Sequence, residues 1–401
     1  MQVAEESLKA PLKIEGVELR ELKIPLVSPF ETSGWREEEK NCIIVEMMSG
    51  HRTGFGECAV TAGPWYGPET TQSAWHVMED YFIPVILGRE FSTPSDLLDS
   101  LSFVRGNNMA KAAFEMAFSD LSAKEEGVSL SKFLLGTKSK VESGVSVGIQ
   151  KDAKRLVEAV SDYLDQGYRR IKIKIKPGND LDEVSILRQH FPDIMLMADA
   201  NGAYKSTDFR TLVGLDRYGL LMLEQPFAWD DLVDHANLQR AMTTPICLDE
   251  SVASVNDLKT ALALRSCRIL NLKPARVGGL SVSKIIHDIC RSHEMPIWCG
   301  GLLETGIGRA HNVAVSSLPG FVFPNDISAS NRYFKEDIVS PEFKLNPDGT
   351  ITVPTGPGLG VEIRPDRLEK YTKIKTVDRI EYQENLSDSP AKVGDIPNRR
   401  M

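Results

Sequence analysis

The chain has 401 residues, 42% of them hydrophobic and 26% charged, with 47 Lys+Arg against 56 Asp+Glu for a net charge of −9. That is the mix of a globular chain and not of a disordered one, and the length leaves either two ordinary domains or an α/β barrel of about 250 residues with an attached module. A mildly acidic surface argues against a general nucleic-acid or anionic-membrane binder, though it leaves room for a local basic pocket. No apolar run reaches the roughly 18 residues of a membrane span, and the N-terminus MQVAEESLKAPLK lacks the apolar core of a signal peptide. The six cysteines are scattered without a CxxC pair, which reads as reduced, buried thiols in a cytoplasmic protein.

In chain order, Val17–Pro25 and Asn41–Met48 read as strands by β-branched content and alternation. Between them Val27–Glu37 (VSPFETSGWRE) has the Pro, Gly and Ser punctuation of a loop, and Thr61–Pro68 (TAGPWYGP) is a second loop carrying two aromatics. Lys111–Glu125 has apolar residues at helical spacing. From about 140 to 330, eight short apolar runs alternate with longer amphipathic stretches such as Lys151–Gln166 and Ser281–His293. Such alternation implies βαβ units and a parallel sheet, and eight repeats closing on themselves make a barrel. Pro341–Val353 reads as a hairpin around Asp348-Gly349, and a polar, poorly ordered tail is expected from about 370.

A charged residue ends five successive apolar runs: Lys174, Asp199, Glu224, Asp249 and Lys273, spaced 25, 25, 25 and 24 apart. One βα unit of a barrel fills about that many residues, so each falls at the C-terminal end of a strand, the rim that carries active sites. Strands two and six are opposite in an eight-stranded ring, so Lys174 and Lys273 should face each other with the three carboxylates between them. Those carboxylates repel unless neutralised, and oxygen-only ligation favours Mg²⁺. A lysine at either side could take or return a proton next to a substrate carboxylate if its pKa falls from about 10.4 towards 7–8. IKIKIK alone would read as an edge strand with a solvated lysine face. Within a closed barrel, Ile171, Ile173 and Ile175 pack outward and turn Lys172 and Lys174 inward, where they need anionic partners.

These segments resemble the enolase superfamily, in the o-succinylbenzoate synthase and N-acylamino acid racemase group of its muconate-lactonising branch. The resemblance covers roughly residues 12 to 368. It rests on Lys172-Ile173-Lys174 as a KxK motif, DANGAY at 199–204, LEQPF at 223–227, LDES at 248–251, LNLKPARVGGLS at 271–282, WCGGLLETGIGRA at 298–310 and NDISASNRYF at 325–334. It implies a (β/α)7β TIM-like barrel over residues 136–335, an α+β capping domain over 1–135 and a C-terminal segment, 336–401, completing the cap. It implies Asp199, Glu224 and Asp249 as ligands of Mg²⁺ (or Mn²⁺), Lys174 and Lys273 as acid/base groups on opposite faces, and Lys172 as the group that tunes Lys174. The activity implied is dehydration of a succinyl-bearing hydroxycyclohexadiene carboxylate through an enediolate, for menaquinone biosynthesis. Racemisation of N-succinyl- or N-acylamino acids needs the same constellation, while a different cycloisomerase or a non-catalytic barrel are the remoter expectations. A homo-oligomer acting on a small carboxylate, with no nucleic acid or membrane partner, completes the reading.

Other residues carry weaker expectations. Arg276 resembles an arginine of members that racemise N-succinylamino acids. Asn201 reads as support for the metal shell or a turn residue, and Glu250 as a group positioning Lys273 or a helix-starting acid. Ser33, Gly34 and Trp35 resemble a mobile loop over the substrate, and Trp65 and Tyr66 a second lid. Gly300 and Gly301 are read as letting substrate approach the backbone, and Glu304 as a substrate contact or an ion pair. The absence of a catalytic His–Asp pair tells against mandelate racemase chemistry, and Asp326-Ile327-Ser328 against a dipeptide epimerase.

Overall fold

In the computed structural model, residues 8 and 10–380 are described. The first layer is an antiparallel sheet. Strands β1 (Gly16–Glu31) and β2 (Arg36–Ser49) form a long hairpin in register from Gly16↔Met48 to Glu31↔Arg36, irregular between Pro25 and Phe30. The segment 27–37, expected as a loop, is therefore mostly strand. Pro29 falls where the pairing is irregular without ending the strand, and only Thr32–Trp35 turn, where Thr32 Oγ1 accepts from the Trp35 amide at 3.0 Å. Strand β3 (Arg52–Cys58) continues the sheet. Helix α1 (Asn108–Glu125) lies directly on β3. A Cβ on Gly54 or Gly56 would come within 2.1 Å of the Ala117 carbonyl or 1.9 Å of the Ala113 carbonyl, so the close approach requires glycine.

The second unit is the barrel. Strands β4 (Gly144–Val147), β5 (Arg170–Lys174), β6 (Met195–Asp199), β7 (Leu223–Glu224), β8 (Ile246–Leu248), β9 (Ile269–Leu272) and β10 (Ile297–Cys299) are parallel neighbours in chain order. Their connecting helices include α2 (Ala153–Asp165), α3 (Leu280–Ser292) and α4 (Gly306–Ser316, after β10). The eighth apolar run forms no extended strand. It closes the ring through isolated parallel bridges, Ile297↔Phe321 and Ser143↔Asn325. Outward residues such as Ile171, Ile173, Leu196 and Leu248 join the apolar faces of the helices in one core. Inward, Met197, Met222, Cys247, Ile269 and Trp298 plug the barrel below its charged rim. The six cysteines are all buried and unpaired as thiols. Among the described residues no helix is long and apolar enough to cross a membrane.

The chain then returns to the first sheet. Strand β11 (Thr372–Arg379) pairs with the outer edge of β1, from Thr372↔Leu22 to Arg379↔Gly16. The tail expected to be poorly ordered from about 370 thus begins as a strand, since TKIKTVDR can donate and accept along an edge whatever its polarity. Residues 381–401 lie outside the described residues. The expected hairpin at Asp348-Gly349 keeps a single antiparallel bridge, Leu345↔Ile351, while Thr350–Thr352 pair instead with Lys140–Glu142.

Carboxylates of the first unit cap helices of the second. Glu57 on β3 accepts from Thr305 Oγ1 at 2.6 Å and the Gly308 amide at 2.9 Å at the start of α4. Glu115 on α1 accepts from the Leu280 and Ser281 amides at 2.7 and 2.9 Å at the start of α3. Helix N-termini leave unpaired amides and favour negative charge, so these contacts lock the two units together.

Candidate active site

The register of the barrel sets the site. Lys174 on β5 lies level with Asp199 on β6, and Asp199 with Glu224 on β7. Asp249 and Lys273 directly follow β8 and β9. All five charged side chains are buried. Lys174 Nζ donates to Asp199 Oδ2 at 2.6 Å and to Asn201 Oδ1 at 2.9 Å. Lys172 Nζ lies 2.6 Å from Asp326 Oδ2, 3.0 Å from Glu224 Oε2 and 3.3 Å from Asp199 Oδ2. Lys273 Nζ donates to Asp249 Oδ2 at 2.8 Å. Asp249 Oδ1 receives the Arg276 guanidinium and the Tyr66 hydroxyl, the latter at 2.8 Å. Arg170 pairs with Asp326 at 2.6 Å.

Burial opposes every one of these charges, and the neighbours decide the outcome. Burial favours a neutral Lys172, but Asp326, Glu224 and Asp199 outweigh it and hold the ammonium well above the usual lysine value. Burial would raise the Asp249 carboxyl, but Lys273 and Arg276 hold it far below the usual carboxylate range. Glu224 goes the other way, pushed up to about 8 by burial and by Asp199. Burial and then Asp249 and Asp199 push Glu250 up to about 7. Proton transfer by Lys273 would need a depressed pKa, whereas a charge-stabilising role needs the ammonium. Burial does push it down, yet Asp249 at 2.8 Å and the Tyr66 phenol outweigh that and raise it.

Both Lys174 and Lys273 line one cavity of about 70 Å³, together with Lys172, Asp326, Trp35 and Tyr66. Among the described residues no three acidic, histidine or cysteine side chains are gathered as a metal cluster; the carboxylates lean on ammonium and guanidinium groups. The donor chemistry nonetheless suits a hard divalent cation: three carboxylates from three adjacent parallel strands, with only oxygen donors.

The remaining expected residues divide. Asn201 bridges Lys174 and Glu250, donating to Glu250 Oε1 at 3.2 Å, and Lys273 acts on Glu250 electrostatically. Arg276 is buried against Asp249 and the carbonyls of Val252 and Asn271 and lines a second cavity of about 460 Å³ with Trp65. Ser33 does not line this cavity; its hydroxyl donates to the Ile175 carbonyl at 2.8 Å and pins the hairpin tip to the barrel. Trp35 and Gly301 do line it. A Cβ on Gly300 would come within 2.5 Å of Lys273 Cε and 2.3 Å of Asn271 Oδ1, so this glycine makes room for the lysine stem and the Asn271 amide. Among the described residues the Glu304 carboxylate forms no ion pair; it accepts from the Leu302 amide and Asn312 Nδ2, while the Glu304 backbone carbonyl accepts from the Arg309 guanidinium at 2.9 Å. Sequence reasoning used Asp326 only as a mark against a dipeptide epimerase and missed its ion pairs, and it missed Arg170 and Asn271, whose amide donates to Glu224 Oε1 at 2.6 Å. A further step of about 26 residues from Gly300 reaches Asp326, so the same periodicity could have found it.

Residues 14–136 match the mandelate racemase / muconate lactonizing enzyme N-terminal domain, and residues 155–367 the enolase C-terminal domain-like family. The chain belongs to this branch of the enolase superfamily. Among its relatives, the o-succinylbenzoate synthases of Bacillus subtilis and Geobacillus kaustophilus are 48% and 47% identical, each over 90% of this chain and 97% of the relative. An N-succinylamino acid racemase of an Amycolatopsis species is 43% identical over 91% of this chain and 99% of its own. A solved enolase superfamily member from Listeria innocua superposes with a TM-score of 0.88 at 43% identity, covering 92% of this chain and 99% of that one.

Proposed function

We propose that this protein is an o-succinylbenzoate synthase, dehydrating 2-succinyl-6-hydroxy-2,4-cyclohexadiene-1-carboxylate in menaquinone biosynthesis. The observation that carries the reading is that Lys174 and Lys273 reach one cavity from β5 and β9, with the carboxylates of the intervening strand ends beside them. The relatives of that name support it. Lys174 Nζ takes the proton from the carbon α to the substrate carboxylate, and the electron pair spreads onto that carboxylate. The pair then returns to form the ring double bond as the neighbouring hydroxyl leaves, collecting the proton from Lys174 and departing as water. Lys273 stays an ammonium, held charged by Asp249, and balances the charge of the intermediate from the other face. Asp199, Glu224 and Asp249 would hold Mg²⁺, or Mn²⁺ in its place, which when bound supplies Lewis-acid stabilisation of the developing carboxylate charge. A cytoplasmic homo-oligomer belongs to the same reading, and light scattering of the purified protein tests the assembly.

A second reading, N-succinylamino acid racemase, draws on the same two lysines: one face loses the α-proton and the other returns it. The deciding experiment incubates the purified protein with Mg²⁺ and each substrate, following dehydration by absorbance and α-proton exchange in D₂O by NMR. Dehydration is expected. Turnover of N-succinylamino acids with no detectable dehydration overturns the first reading in favour of the second. Chelation should abolish activity and Mg²⁺ restore it; persistence of activity in chelator would show that the three carboxylates are not cation ligands.

A further inference from the structure

We propose that Gln225 is the positioning residue that fixes the ends of β6, β7 and β8 relative to one another, and so sets the spacing of Asp199, Glu224 and Asp249. It rests on the reading of those three as cation ligands. Gln225 is wholly buried and does not line the catalytic cavity. Its φ of +37° lies in the left-handed region, which is strained for a non-glycine residue and persists only where the surroundings enforce it.

What enforces it is a complete set of bonds. Gln225 Oε1 accepts from the Asp249 amide at 3.0 Å and the Ser251 amide at 3.3 Å. Its Nε2 donates to Ser251 Oγ at 2.7 Å and to the Phe227 carbonyl at 3.0 Å. The Gln225 amide donates to the Cys247 carbonyl at 2.9 Å, and its carbonyl accepts from the Gly202 amide at 2.8 Å, three residues past Asp199. One residue adjacent to Glu224 therefore grips the loops after β6 and β8. A glutamate could not donate to the Phe227 carbonyl, an asparagine is one methylene short, and an apolar side chain would orphan the buried Asp249 amide.

The test uses Gln225→Met, which keeps the volume without the bonds, and Gln225→Asn, which keeps the amide without the reach. Each is compared with wild type by thermal melting, by equilibrium Mg²⁺ titration in a calorimeter, and by kcat and KM at saturating Mg²⁺ well below the melting temperature. We expect Mg²⁺ affinity to fall about 10–100-fold, with kcat falling more than KM rises. Variants that only melt earlier, with wild-type Mg²⁺ affinity and kcat per folded molecule, overturn the inference. Should both fail to fold, Ser251→Ala removes a single partner of the amide; weaker Mg²⁺ binding supports the inference and unchanged binding overturns it. A wild type that binds no Mg²⁺ overturns the cation reading and this inference with it, whereas wild-type-like binding by the variants overturns this inference alone.

Discussion

Lys172 has carboxylates on three sides and the Trp298 ring 5.0 Å from its ammonium. Taking one member from a buried ion web leaves its partners unpaired, at about 3–5 kcal/mol. Asp326→Asn strips both Arg170 and Lys172 of their nearest anion, so it should lower unfolding stability by about 3 kcal/mol, read from the urea midpoint. Lys174→Ala leaves Asp199 still beside Lys172. It should cost far less stability and about 10²–10⁴-fold in turnover. A loss of stability equal to that of Asp326→Asn would make Lys174 a scaffold residue. Much of this site was legible in the sequence because strand and helix lengths fix a repeat, and a repeat fixes which residues share a rim. The partner of each charge was not. Asp326 meets Arg170 and Lys172 only when the last segment closes the ring, and Asp249 engages Tyr66 from a loop some 180 residues away.

The helices of the barrel are held at their N-termini by the neighbouring unit. Glu115→Ala would leave two buried amides of α3 unpaired and should lower stability by about 1–3 kcal/mol. Gly279→Ala should do comparable damage by another route: its Cβ would sit 2.4 Å from the Glu115 carboxylate, at a φ of +123°. Chemical denaturation of both variants and their double mutant checks this, and strongly non-additive losses are expected because the two changes break one contact. At this scale the sequence was readable where local propensity decides, as for α1, α2 and α3. It misled at 27–37, where Pro, Ser and Gly signal a loop but pairing between two long strands overrides them. That hairpin tip matters for access. Trp35 at this tip and Tyr66 on the facing loop both line the cavity of about 70 Å³, a volume well below the 300–1,000 Å³ of small-molecule sites.

Across the whole molecule, acid is expected to weaken the contact between the two units. His311 on α4 donates from Nε2 to the Phe55 carbonyl at 2.9 Å, with Asp120 and Lys124 nearby. Burial lowers it to about 4, against about 6.5 when unfolded. Below the unfolded value the unfolded chain binds the proton first, so this contribution is fully present above pH 6.5 and is lost as pH falls towards 4, by up to about 3 kcal/mol. His311→Gln should flatten that acid limb in denaturation midpoints measured from pH 7 to 4, and an unchanged slope would place the sensitivity elsewhere. The fold class was legible from the alternation of runs, but β11 was not, since nothing in TKIKTVDR says which distant edge it joins. Its attachment has a consequence in time. The pair Thr372↔Leu22 spans 350 residues of chain, and a ribosome adds about 5–20 residues per second. The outer edge of β1 thus waits roughly 20–70 seconds for its partner, a bare strand edge beside nascent chains of the same sequence, and the first sheet begun is the last one finished.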